Sequence, residues 1–194
     1  PAFAIFRVAE LFKEPIEREI STSFFNGYGT EFNVFAPGTP DWSVNQYRYL
    51  GRTTRILREN SRAFTEGALT PLVETASDSI WVNRWELPHK DIYTIYSIRP
   101  EGVRKQLLPV YPKAGWHYVD IWHHKNLEPV ASNGHSLLQL ETAAFDASWL
   151  NTNREGSVDC IAGFPSLISA SLKGDRLSVH SPEGLELRIW KGRP

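Results

Sequence analysis

The chain of 194 residues contains no methionine and a single cysteine, Cys160. One thiol excludes an internal disulfide framework and a cysteine-rich metal site, and leaves the compartment open. Acidic and basic residues nearly cancel to a formal net charge of −1, so composition gives no electrostatic case for a nucleic-acid or membrane-surface partner. No apolar run approaches the roughly 18 residues that span a bilayer. The chain also lacks a G-x-S-x-G elbow, and neither "NGYGTEF" nor "KGDR" has the strand, glycine-rich turn and helix that cradle phosphate. Cys160, within "VDCIAGF", reads as a small core residue of a strand rather than an activated thiolate. With no Met anywhere, and a start directly on "PAFAIFRVAELF", the sequence is expected to be a piece of a longer polypeptide.

What is present is apolar and aromatic. Apolar residues make up 41% of the chain and aromatics 12%, with seven Trp and seven Tyr. That suffices for a sizeable core and suits strands that pack or display rings. Apolar residues from Phe3 to Glu19, interrupted at Pro15, predict a short helix broken near its end. "EFNVFA", Glu31 to Ala36, predicts a buried strand. Ser43 is expected to cap a long helix on which Tyr47, Leu50, Thr54, Leu57, Ser61 and Phe64 form an inward stripe. Arg48, Arg52, Arg55 and Arg62 beside it are expected to be solvated or paired with carboxylates. Gly67 and Pro71 stop the helix.

Past Pro71 the period changes from helical to alternating. "SIWVNRWEL" puts Ile80, Val82 and Arg84 on one face and Trp81, Asn83 and Trp85 on the other, and "DIYTIYSI" follows after a Pro-His-Lys turn. Further strands are predicted at 104–110, 116–122, 136–141, 158–162, 167–173, 176–180 and 185–190, separated by Gly-, Pro- and Asn-containing turns. The fold class expected is mainly β, an antiparallel β-sandwich (71–194) preceded by a helical N-terminal segment (1–70).

The order "YRYLGRTTRILRENSRAFTEGALTPLV", then "WVNRWELPHKDIYTIYSI", then "GWHYVDIWHH" resembles the end of a bacterial glycoside hydrolase-like protein. In such proteins the last helix of a (β/α)8 barrel leads into a C-terminal β-sandwich. The resemblance runs from about Asn45 to His124, with further support from "GDRLSVHSPEGLELRIWKG". It implies that residues 1–70 are the end of a barrel and that the upstream barrel of the same polypeptide is a partner. It implies an exported parent, and oligosaccharide or polysaccharide as a ligand. The paired carboxylates of barrel glycosidases stand on central barrel strands. Those strands would precede Pro1, so no catalytic residue is carried over.

The densest run is "WHYVDIWHHKN". Alternation places Trp116, Tyr118, Asp120 and Trp122 on one face and His117, Val119, Ile121 and His123 on the other. Val119 and Ile121 are expected to face the sandwich interior. The aromatic row then either forms a platform for sugar rings, with Trp116, Tyr118 and Trp122 as the carbohydrate-binding residues, or buries a seam against the helices while Asp120 accepts hydrogen bonds at the strand end. His117 and His123 lie about 20 Å apart along an extended strand, too far to share an ion, so no metal or other cofactor is expected.

Three readings remain. The favoured one is a non-catalytic region that supports the barrel and contacts carbohydrate. The others are a carbohydrate-binding module and a self-contained glycosidase using Glu31, Asp41, Glu86 or Asp120. In every case the apolar helix stripe needs cover, from the sandwich or from a second copy of the chain in a homodimer.

Overall fold

The computed structural model describes residues 7–10, 14–33, 40–132, 134–165 and 169–180. The N-terminal part alternates strand and helix: β1 (Arg7–Glu10), α1 (Glu17–Phe25), β2 (Thr30–Asn33), α2 (Ser43–Glu59) and α3 (Ser61–Glu66). β1 and β2 pair in parallel with α1 as their crossover. All other strand pairs among the described residues are antiparallel. The helix expected over 3–19 is thus corrected: a strand occupies Arg7–Glu10, and Pro15 precedes the helix rather than breaking it. A parallel partner far along the chain decided the conformation there, which a local period cannot report. The second predicted strand is Thr30–Asn33, and positions 34–36 lie outside the described residues.

The rest is a mainly β, antiparallel sandwich. The larger sheet runs in the order β3 (Ala68–Thr70), β4 (Ile80–Leu87), β5 (Lys90–Ser97), β11 (Ser157–Pro165), β7 (Trp116–Asp120), β8 (Lys125–Leu127). Its edge strand β3 lies just ahead of Pro71. The smaller sheet is β6 (Val103–Val110), β10 (His135–Thr142), β9 (Val130–Ser132), and β12 (Ser169–Lys173) with β13 (Arg176–His180) forms a hairpin. The strand predicted at 185–190 lies outside the described residues.

Both faces of the six-stranded sheet are buried. Ile80, Val82, Tyr93, Ile95, Tyr118 and Ile161 meet Leu108, Leu138 and Leu140 of the smaller sheet. On the other face Trp85, Ile92, Tyr96, Val158, Cys160 and Ala162 meet Phe24, Phe25, Ile56 and Phe64 of the helices. The alternation in "IWVNRW" therefore reads correctly.

The helix face is read only in part: Phe64 is buried and Leu50 and Leu57 pack on the core, but Tyr47 does not and polar residues face inward. Trp42, not Ser43, is the N-cap residue of α2, and its buried residues are Ser43, Gln46, Thr53 and Ile56, whereas Tyr47 is 43% exposed. Polar side chains can face inward because each finds a partner. Gln46 Oε1 accepts from the Ile16 N–H at 2.8 Å and its Nε2 donates to Glu17 at 2.6 Å, tying α2 to the start of α1. Of the arginines, Arg55 and Arg62 pair with Glu59 and Glu66 at 3.0 Å.

Candidate functional site

The run Trp116–His124 ends at a polar junction between sandwich and helices. β7 pairs with β11 only as far as Asp120 opposite Ile161. The Ile121 and Trp122 N–H groups then both donate to the Cys160 carbonyl, two residues against one, and this bulge takes Trp122 out of the strand's alternation. Tyr118, ahead of the bulge, points into the sandwich core at 3% exposure, and Trp122, past it, turns to the opposite side at 6%. Trp122 packs on Phe24 and Tyr49 at centroid separations of 5.8 and 5.7 Å. The Arg52 guanidinium lies 3.9 Å over its ring and donates to its carbonyl.

The face assignment is corrected accordingly. Tyr118, rather than Val119, fills the sandwich interior, and Ile121 packs on the helix side. Trp116, Tyr118 and Trp122 do not form one row. Trp116 is half-buried at the start of β7, with the Lys113 ammonium 4.0 Å over its ring.

Asp120 and Asp159 converge on His123. Asp120 Oδ1 accepts the His123 backbone N–H at 2.7 Å, and its Oδ2 lies 2.8 Å from His123 Nδ1. Asp159 Oδ1 lies 3.6 Å from the same nitrogen, and its two oxygens accept the N–H groups of Cys160 at 2.7 Å and Glu141 at 2.9 Å. Asp159 is fully buried, and its bond to Glu141 links the two sheets. Burial alone pulls the imidazole down, but the hydrogen bond to Asp120 and the charges of both carboxylates raise it to about 9. Burial raises Asp159 to about 6, opposed by the neighbouring His123 imidazole and assisted by the Asp120 charge.

The three side chains offer ligand atoms within 4.8 Å of one another, an N/O/O set that suits a divalent cation. A cation would have to displace the proton that this geometry holds on Nδ1. Sequence reasoning missed Asp159 here, since only strand pairing brings it to Asp120. Cys160, next in the chain, lies in the helix-side core, where burial pushes its thiol well up.

The candidate acids of the hydrolase reading are scattered. Glu31 is exposed on β2 and Asp41 is exposed in the turn before α2. Glu86 and Asp120 lie on β4 and β7, three strand spacings apart, which separates their backbones by about 14 Å. Paired glycosidase carboxylates stand about 5–10 Å apart.

The fold is similar to parts of several solved enzymes. AmyP in complex with maltose is 12% identical at a TM-score of 0.47, over 74% of this chain and 33% of that one. A noncanonic maltogenic α-amylase, AmyB from Thermotoga neapolitana, is 8% identical at 0.44, over 80% and 41%. CldA, a cyclomaltodextrin glucanotransferase with a three-domain ABC distribution, is 16% identical at 0.41, over 79% and 36%. The chain thus spans less than half the length of each. Likeness at this level assigns no activity. No family model and no curated protein matches the sequence.

Proposed function

We propose that this chain is the end of a (β/α)8 barrel followed by its C-terminal β-sandwich, a non-catalytic region of a glycoside hydrolase-like protein that holds the barrel's last elements in place. One observation carries this reading. A parallel β1–α1–β2 unit followed by α2 repeats the strand-helix alternation of such barrels, and two strands cannot close a barrel alone. The division at residue 70 belongs to this reading, as do the upstream barrel as partner and an exported parent.

Support takes a specific form. The Phe25 carbonyl, at the C-terminal end of α1, accepts hydrogen bonds from Thr94 at 2.7 Å and Asn83 at 3.1 Å, both on the sheet. Orphan carbonyls at a helix end need such partners, so α1 is fixed in register as well as buried. Immunoblotting source cells with an antibody against this chain tests the proposal. A native polypeptide much longer than 194 residues is expected, and one of that length would overturn it.

Carbohydrate contact is the finer part of the reading. Trp116 favours it as the half-buried ring of the three proposed binding residues.

A further inference from the structure

We propose that the end of the sandwich beside Trp116 is a subsite for a neutral sugar ring, entered when the Lys113 side chain swings away. The proposal rests on the reading of carbohydrate contact above and gives it a location. Asp91, at the start of β5, is 2% exposed. Its Oδ2 accepts from Arg84 at 3.0 Å and from Lys113 at 3.2 Å. Its Oδ1 has no hydrogen-bond partner, and neither has the buried Nε of Arg84. A buried ion pair that leaves one acceptor and one donor unused is incomplete.

The missing group can be specified. A single group serving both atoms would donate one hydrogen bond and accept another, which a hydroxyl does and a carboxylate, phosphate or ammonium does not. Charge points the same way: Arg84 and Lys113 are balanced by Asp91 and Glu86, the latter 3.1 Å from Arg84, so no net charge selects an ionic ligand. One partly exposed ring, Trp116, stands beside these groups, since Lys113 touches both it and Asp91, and Tyr118 is buried behind it. Trp116 and Tyr118 share a strand face, and the Tyr118 ring covers Gly163, which pairs with Asp91 on one side and Tyr118 on the other. A hydroxyl beside an aromatic ring is the chemistry that binds a pyranose.

Lys113 is the cover. Its ammonium lies on the Trp116 ring face while it donates to Asp91, and its side chain is 36% exposed, so it leaves when an incoming group takes over its hydrogen bond to Asp91. A sugar C–H face would take its place on the indole while a hydroxyl completes Asp91 and Arg84.

The test is a 1H–15N titration of the whole chain with maltotriose and, separately, cellotriose, each to about 10 mM, a range that detects millimolar binding. We expect the Trp116 indole and Arg84 Nε–H signals to move together with at least one sugar. Lys113→Ala should tighten binding about threefold by freeing the ring. Trp116→Ala should weaken it about tenfold with an unchanged circular dichroism spectrum. No shift with either sugar in the native chain and in Lys113→Ala would overturn the proposal, leaving water as the group that bridges Asp91 and Arg84. Shifts that persist in Trp116→Ala, or weaker binding by Lys113→Ala, would overturn it as well. The supporting role proposed for the chain survives any of these failures, because native polypeptide length decides it separately.

Discussion

The six-stranded sheet buries its two faces by different means. Toward the smaller sheet, the middle of the face is aliphatic, Val82, Ile95 and Ile161 against Leu108, Leu138 and Leu140. Toward the helices it is aromatic and hydrogen-bonded. Trp85 meets Phe64 edge-on at 5.2 Å and donates to Thr94, which itself donates to α1. Aliphatic packing accepts any side chain of the right size and shape. Rings and buried hydrogen bonds accept one register. The helix side is therefore the more specified contact.

The largest expected effect tests whether that side is part of the core. Trp85→Ala should cost about 3–5 kcal/mol in urea unfolding, and Leu138→Ala on the aliphatic side about 2–4 kcal/mol. A Trp85→Ala cost below about 1 kcal/mol would mean that the helices rest on the sheet without sharing its core.

Next comes the polar part of the contrast. Thr94→Val keeps the side-chain shape but leaves the Trp85 indole N–H unpaired and the Phe25 carbonyl with one partner fewer, at an expected cost of about 1–3 kcal/mol by the same measurement. A neutral result would reduce the helix face to ring packing.

The His123 junction adds a dependence on pH. Its folded value of about 9 lies above the ordinary 6.5, so its contribution is complete below about pH 6.5 and is lost as pH rises through about 9. Asp159, also raised, withdraws its own contribution at lower pH, as pH rises from its ordinary range through about 6. Stability of the native chain should therefore fall between pH 6.5 and 9.5, and that of His123→Gln should stay level there. Parallel curves would show that the proton between Asp120 and Asp159 does not hold the junction.

The smallest effect belongs to the surface. Arg55→Ala and Arg62→Ala remove exposed i,i+4 pairs and should each shift stability by less than about 0.5 kcal/mol in urea unfolding.

How much of this is legible in sequence follows from range. Strong alternation bounded by turns gives β4 and β5 to within a residue, because side-chain faces there are set locally. α2 is legible as a helix, and Leu50 and Leu57 as inward, but not the buried Gln46, whose partners Ile16 and Glu17 lie in another element, or Thr53, which bonds back to the Leu50 carbonyl. β7 is legible as a strand, yet a bulge against Cys160 puts Trp122 on the side opposite Tyr118. The meeting of Asp120 and His123 with Asp159 depends on pairing between strands distant in sequence, and that of Arg84 and Asp91 with Lys113 on a loop that returns beside their hairpin. No local period carries that information.

Native-state hydrogen exchange over the whole chain tests most directly whether helices and sandwich form one body. Backbone amides from Ile20 to Phe25 in α1 and from Ile92 to Tyr96 in β5 should open together, with the same free energy and the same denaturant dependence. Helix amides exchanging about 100-fold faster than those of β5, with the strand still protected, would contradict the account and make the helical segment a loosely attached neighbour of the sheet.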